Sequence, residues 1–489
     1  MITNNPHHAR RWTILAVLAI AQLMVVLDAT IVNIALPSAQ RALHFQASER
    51  QWIVTAYALS FGSLLLLGGR ISDLLGRKWT FIAGLAGFAT ASAVGGAAQS
   101  FGMLAGARAF QGVFGALLAP AALSLMTTTF TDPGERNKAF GIWGAIAGSG
   151  GAIGLILGGV LTQTLSWRYS MYVNVIFATI GIAGALALLR NQAPAVKPKL
   201  DIPGVLSVSA GLSSLVYGFS HAQTTSWGNE TTVAFLIAGG LLLAVFALLE
   251  SRTRHPLLPL RIVTNRNRGA AFLSIGIAGA AVFAVFLFLT YYLQQGRGYT
   301  PIQAGVAFLP MSAAIMFSAI VATTRLRPVF GPRPLMVAGM LLGAGGMLYL
   351  TRLTVAASYA TGILPALIMA GVGLGLVFST SINSATLGVE PADAGVASAT
   401  VSASQQVGAS LGIALLSTVA ASAVTSYVAG AGAHPTPLLV AQAAVHGDTT
   451  AFAWAAAIFA AGALIAAALF ERGRKALAVD ARTAPVSAH

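Results

Sequence analysis

The sequence predicts an all-α polytopic membrane protein, and three observations carry that prediction. Of 489 residues, 56% are hydrophobic and only 8% charged, with a mean hydropathy of +0.78, whereas a soluble domain carries about a quarter charged residues. Apolar runs recur along the whole chain, each near the ~20 residues a helix needs to cross a hydrocarbon core. The third observation is the glycine-dense apolar stretch 144–159. In water each interior glycine would cost a helix about 1 kcal/mol relative to alanine. In a bilayer the same residues let helix backbones approach closely, and the pairs Gly144/Gly148, Gly150/Gly154 and Gly154/Gly158 repeat the small-xxx-small spacing of packed membrane helices.

Taken in order, residues 1–11 form a short polar leader ending in Arg10-Arg11. The apolar run after it, about 12–36, resembles a signal peptide only at its start. It is long enough to span, contains Asp28 and shows no convincing cleavage site, so it is expected to stay as the first helix. Further spans are expected at about 51–69, 79–98, 103–127, 138–162, 169–189, 203–221, 232–250, 268–292, 302–323, 334–351, 359–382, 397–425 and 450–470, which makes fourteen. An even number places both termini on one side. With that side cytoplasmic, every lysine and arginine falls in a cytoplasmic segment except Arg41, Arg50, Arg168, Arg297, Arg352 and the intramembrane Arg108, as the positive-inside rule requires. The expected location is the cytoplasmic membrane of a bacterium, multi-pass, with both termini in the cytoplasm; abundant Ala, Gly and Arg suit a high-GC source.

The net charge of +15 follows the loops and offers no soluble basic face, so nucleic acid is not an expected partner. With no cysteine, disulfides, thiolate metal sites and cysteine catalysis are excluded. His44, His221, His255, His434 and His446 fall in loops or near the ends of the expected helices without metal-ligand spacing. There is no nucleophile elbow and no phosphate-cradling GxxxxGK[ST] loop, so no enzyme and no cofactor is expected.

Two compositional shifts divide the chain. Residues 190–201, with Pro194, Pro198 and three cations, read as a linker after six helices, and 251–268, with five arginines, Pro256 and Pro259, as a second after eight. The expected organisation is an N-terminal six-helix bundle at 1–190, a linker with two additional transmembrane helices at 191–267, a C-terminal six-helix bundle at 268–471 and a cytoplasmic tail at 472–489. Arg70-Ile-Ser-Asp-Leu-Leu-Gly76-Arg-Lys78, after the second helix, is echoed by Arg325-Leu-Arg-Pro-Val-Phe-Gly331-Pro-Arg333 after the tenth, with Pro328 in place of Asp73. Internal repeats of this kind characterise secondary transporters.

Few residues in the spans can carry chemistry. Asp28, in Val25-Val-Leu-Asp-Ala-Thr-Ile-Val-Asn33, would cost about 2.5–3.5 kcal/mol at bilayer depth and is expected to face a cavity or a partner. Desolvation disfavours the charged form of a carboxylate and a nearby cation favours it, so a carboxylate held between the two can exchange a proton; the alternative is a structural acceptor paired with Asn33. Arg108, in the fourth span, cannot realistically lose its proton and must find an anion, carbonyls or water. It either faces inward, with Gln111 one turn on, or snorkels to the outer interface. Asp73 and Arg77 stand four apart in a tight loop where Gly76 permits a sharp turn and the cations can reach acids such as Glu135. That loop is equally readable as a conformational latch or as a charged loop obeying topology. The glycines of the fifth helix are either packing residues or, around Gly148-Ser-Gly-Gly151, something more, and Pro120, Pro310 and Pro365 are candidate kinks.

Four stretches resemble a known family. Gly69-Arg-Ile-Ser-Asp-Leu-Leu-Gly-Arg-Lys78 resembles the signature loop of the major facilitator superfamily, departing from it at Leu74, where a cation is common. Arg108-Ala-Phe-Gln-Gly112 with Pro120 resembles its fourth-helix motif, and the segment from Gly148 to Gly159 its fifth-helix antiporter motif. Leu27-Asp-Ala-Thr-Ile-Val-Asn-Ile-Ala-Leu-Pro37 resembles the first-helix motif of the fourteen-helix drug:proton antiporter branch. The resemblance implies a major facilitator fold: two six-helix bundles, here with two extra helices, opening alternately to each side. It implies proton coupling through Asp28 and Arg108, and a conformational latch made by Gly69, Asp73, Gly76, Arg77, Lys78 and Arg136. It further associates export with the antiporter-motif glycines Gly148, Gly150, Gly151, Gly154, Gly158 and Gly159.

The expected activity is export of a drug-like or antibiotic-like small molecule in exchange for protons, through a largely apolar substrate cavity with polar contacts from Asn33, Gln111, Asn383 and Gln405. The proton is the coupling ion, the lipid bilayer the surroundings, and a monomer the expected working unit. A proton-coupled nutrient importer of the same fold is the nearest rival. A non-transporting sensor or scaffold is a further one, for which the cytoplasmic segments look too short.

Overall fold

The computed structural model describes residues 10–46, 49–130, 132–190, 201–253, 256–387, 389, 394–430 and 436–471. Within them, the side chains of Asp73 and Arg136 and residues 144–145 and 147–149 of the glycine stretch lie outside what is described. The described residues are helical throughout their regular structure. The elements are α1 (Arg11–Leu43), α2 (Arg50–Leu75), α3 (Arg77–Gly96), α4 (Phe101–Thr129), α5 (Pro133–Thr164), α6 (Tyr169–Leu188), α7 (Ile202–Thr224) and α8 (Glu230–Arg252). They continue with α9 (Leu260–Thr264), α10 (Arg266–Tyr291), α11 (Pro301–Ala307), α12 (Leu309–Val321), α13 (Arg327–Phe330), α14 (Pro332–Leu350), α15 (Leu364–Thr386), α16 (Ala394–Gly430) and α17 (Pro437–Leu469). Three π-helical turns, Tyr292–Gly296, Ala322–Leu326 and Tyr359–Ile363, extend α10, join α12 to α13 and lead into α15.

Among the described residues, twelve helical segments are long and apolar enough to cross a membrane; α2 and α5 are the long helices outside that set, and α5 contributes the apolar stretch Gly150–Thr164. Fourteen spans are therefore matched in long helical segments but not in segments that meet this apolar criterion. The last helix starts well before position 450, because Thr436 caps it by accepting from the Leu439 amide and Pro437 occupies its first turn, where a missing N–H costs nothing. Gln442, His446 and Asp448 lie inside it; their polarity interrupts the hydropathy, not the helix, so His446 is not a loop residue. Pro120 sits inside an unbroken α4, whereas Pro310 and Pro365 begin α12 and α15.

The chain separates into two compact units. The first contains α1–α6 with residues 202–213 of α7, 239–252 of α8 and 299–306; the second contains residues 214–224 and 230–238 of the same two helices, α9, α10, and the chain from α12 to α17. Within the first unit α2 and α3 both pack on α4, α1 packs on α4, α5 and α6, and α3 on α6. Within the second, α12 and α14 both pack on α15, α10 packs on α15, α16 and α17, and α14 on α17. The same pairing scheme is thus used twice, and the echoed loops occupy equivalent places in it. Gly76 (φ 89°, ψ 139°) ends α2 and begins α3; Gly331 (φ 72°, ψ 179°) ends α13 and begins α14. A side chain is strained in either conformation, so Gly76→Ala is expected to destabilise the protein by about 1–3 kcal/mol, read as a lowered midpoint in thermal unfolding of the purified protein.

Candidate functional site

The first unit contains a buried ion pair. Asp28 on α1 is fully buried and Arg108 on α4 is 1% exposed; Arg108 Nη1 donates to Asp28 Oδ2 at 2.5 Å. Arg108 therefore faces inward. Its Nε donates to the Ile53 carbonyl at 3.2 Å, Nη1 also donates to Gln111 Oε1 at 2.9 Å, and the guanidinium carbon lies 4.3 Å from the centre of the Tyr57 ring. An arginine so placed is held by an anion, two carbonyl oxygens and an aromatic face, which together replace the water it has left.

The other carboxylate oxygen is held by two amides. Gln111 Nε2 donates to Asp28 Oδ1 at 3.1 Å and Asn174 Nδ2, on α6, donates to it at 2.7 Å. Both amides also donate to Ser92 Oγ on α3, at 3.1 and 3.0 Å, and Ser92 donates its own hydrogen to the Met171 carbonyl at 2.7 Å. Arg108 and Gln111 meet because they are three residues apart on one helix. The rest of the cluster depends on close backbone approach: a Cβ on Gly112 would run into the Tyr57 carbonyl, so glycine there lets α4 lie against α2 with Tyr57 under the guanidinium.

The remaining expected positions are distributed as follows. Asn33 is buried on α1 but donates to the Ala29 carbonyl of its own helix at 2.8 Å. Asn383 on α15 and Gln405 on α16 are half-buried in the second unit, away from the ion pair in sequence and in unit. Gln111, expected to line a substrate cavity, has both ends of its amide engaged in the buried cluster. The second unit does contain a cavity of about 860 Å³, lined mainly by apolar residues of α10 and α16 such as Leu273, Ile277, Val407 and Leu411, with Thr400 and Ser404 among its few polar contacts. Gln405 is not in that lining; its carbonyl is where a Cβ on Gly279 would fall.

At the expected latch, Lys78 donates to the Leu189 carbonyl at 2.6 Å and the Leu186 carbonyl at 3.3 Å, which places a cation at the C-terminal end of α6. Arg70 donates to the Pro256 carbonyl at 2.7 Å, Gly69 is half-buried two turns before the end of α2, and Arg77 is half-buried beside the Gly76 turn. Glu135, expected to serve this loop's cations, instead pairs with Arg11 at 2.6 Å, tying the first turns of α1 and α5. Asp73 and Arg136 are the latch positions whose side chains lie outside the described residues.

Along α5, a Cβ on Gly150 would meet Val26 Cγ1 at 2.9 Å, one on Gly154 would collide with Thr30 Oγ1, and one on Gly158 would stand 3.1 Å from both Cα and O of Ile31. Gly159 closes in the same way on Pro301 and Ile302, while Gly151 meets nothing within 4 Å and Gly148 lies outside the described side chains. Three glycines of the stretch thus seat α5 on α1 within a turn of Asp28.

The second unit repeats the packing without the charge. Gly371 on α15 approaches the Met311 carbonyl as Gly112 approaches that of Tyr57, and four residues before Gly371 stands the fully buried Leu367, where the first unit has Arg108. Sequence reasoning missed Tyr57, Ser92 and Asn174. Of these, Asn174 left a signal, an amide inside the otherwise apolar run Tyr172-Val-Asn-Val-Ile-Phe177, of the kind that marks a functional position in a spanning helix.

Two helical units with one pairing scheme, twelve segments among the described residues fit to cross a membrane and a buried ion pair in the first unit define a membrane transporter built from an internal repeat. The chain belongs to the Major Facilitator Superfamily, whose family model matches residues 18–413. It is 46% identical over 464 residues to the puromycin resistance protein pur8 of Streptomyces alboniger, covering 94% of this chain and 92% of that one. To the cephamycin export protein CmcT of Amycolatopsis lactamdurans it is 37% identical, covering 86% and 87%. Among solved structures, an auto-inhibited POT-family peptide transporter superposes with a TM-score of 0.68 at 18% identity, covering 95% of this chain and 98% of that one. A bacterial homologue of the lysosomal transporter Spinster gives 0.64 at 16%, covering 97% and 98%. At those identities the solved structures speak for the fold alone; the family and the resistance and export relatives are those of a transporter, not an enzyme.

Proposed function

We propose that the protein is a proton-coupled antiporter that exports antibiotic-like small molecules across the cytoplasmic membrane of a bacterium, acting as a monomer with both termini in the cytoplasm. The observation that carries the coupling is the Asp28–Arg108 pair. Arginine keeps its proton, so the exchangeable one belongs to Asp28. A proton arriving on Asp28 cancels half of that pair and loosens α1 from α4. Each proton entering supplies about 2.3 kcal/mol per 100 mV of membrane potential, besides any pH gradient.

The cargo class rests on the relatives, named for resistance to or export of puromycin, cephamycin and tetracenomycin C. The mostly apolar cavity of the second unit suits such compounds better than it suits a polar nutrient. The test is uptake of these three antibiotics into inverted membrane vesicles under an imposed proton gradient. Uptake of at least one is expected in the wild type and lost in Asp28→Asn, with the variant protein still folded. Undiminished gradient-driven uptake in Asp28→Asn would remove Asp28 from the mechanism, and transport only in the opposite direction would make the protein an importer.

A further inference from the structure

The hydrogen-bond roles around Asp28 are fixed by elimination. Ser92 gives its single hydrogen to the Met171 carbonyl, so the two groups that approach its oxygen, Gln111 and Asn174, must both do so as donors. The ionised Asp28 is likewise only an acceptor. That settles which way each amide points: the Gln111 oxygen faces Arg108 and accepts from it, whereas Asn174 Oδ1 is buried and finds no donor among the described residues. Asn174 itself is fully buried. An orphaned amide oxygen next to a carboxylate, in a cluster where every other amide atom is engaged, is costly unless another state of the site uses it.

We infer that Asn174 is a positioning residue that reads the protonation state of Asp28. The inference rests on the proton-coupled reading above. When a proton binds Asp28 Oδ1, the carboxyl becomes a donor and two amide N–H groups still point at it. Arg108 has no acceptor to offer, and the Gln111 oxygen is tied to Arg108. Asn174 is left as the group that can answer: its amide turns over about the Cβ–Cγ bond, the bonds from Nδ2 to Asp28 Oδ1 and to Ser92 Oγ break, and one from the new Asp28 O–H to Asn174 Oδ1 forms. The same turn brings Oδ1 against Ser92 Oγ, so the Ser92 hydrogen leaves the Met171 carbonyl and points to Asn174 instead. A proton on α1 is thereby registered on α3 and at the start of α6 with no charge moved between them.

From the helices packed round Asp28, the charged and titratable groups that face it are Arg108 from α4 and Tyr57 from α2. The α3 and α6 helices contribute the neutral Ser92 and Asn174, and the described part of α5 meets α1 through glycines.

Infrared difference spectra of the purified full-length protein between neutral and acidic pH test the inference without any cargo. The carboxyl C=O band of Asp28 is the one lost in Asp28→Asn. In Asn174→Leu that band is expected to move to higher frequency, since the protonated carboxyl has lost its acceptor. A second measurement needs no substitution at 174: in wild-type protein grown with 13C-asparagine, an isotope-shifted asparagine carbonyl signal should accompany protonation and vanish in Asp28→Asn. An Asp28 band in the same place in Asn174→Leu, or absence of the asparagine signal, would overturn the role of Asn174 while leaving proton coupling intact. If no carboxyl band is lost in Asp28→Asn, the proton-coupled reading falls as well.

Discussion

Arg108→Gln should cost the fold about 3–5 kcal/mol, the usual penalty for breaking a buried ion pair by removing one member. The substitution leaves the fully buried Asp28 with only the amides of Gln111 and Asn174, takes the donor from the Ile53 carbonyl and uncovers the Tyr57 face. Asp28→Asn alone strands the guanidinium in the same way. The informative variant is the double one, Asp28→Asn with Arg108→Gln, which has no charge left to strand. Its loss of stability should fall short of the sum of the single losses by about 0.5–3 kcal/mol. Unfolding of the purified proteins in detergent, followed by helicity or tryptophan emission, measures all three; strict additivity would mean that the pair does not act as a unit.

Gly158→Leu should also be damaging. Any Cβ there stands 3.1 Å from the Cα and O of Ile31, and a backbone cannot rotate out of the way as a side chain can. Forced overpacking of a tight interface costs about 1–3 kcal/mol or more, and here it would push α5 off α1 a turn away from Asp28. Gly151→Ala is the control, because nothing lies within 4 Å of that position and alanine is the better helix former by about 1 kcal/mol. It should leave stability unchanged or raised. Comparing the two in unfolding and in vesicle uptake separates glycines that seat α5 on α1 from one that does not.

Much of the fold could be read residue by residue. The composition and the recurrence of apolar runs anticipated an all-helical membrane protein, and the echo of Arg70–Lys78 in Arg325–Arg333 anticipated two units with one packing scheme. Asp28 and Arg108 stood out because charges in apolar runs are rare and expensive. Polarity and helix ends part company at α17, which begins at a threonine cap and a first-turn proline well before its apolar core, and the short α9 in the arginine-rich linker carries no periodicity to detect. Inside the site, a lone amide such as Gln111 does not disclose from sequence whether it faces a void or, as here, other side chains.

Hydropathy, span length and loop charge are sums along the chain, and solvation acts on each segment separately, so the class of protein and its division into helices were already decided at that level. Which side chains meet is another matter. Asp28 and Asn174 are 146 positions apart, and they touch because α6 packs on α1, where a Cβ on Gly184 would run into Val17, turning particular helix faces toward one another. The rotation of each helix about its own axis comes from that interdigitation, a property of all neighbours at once, and it alone made an aspartate, an arginine, two amides and a serine into one hydrogen-bonded site.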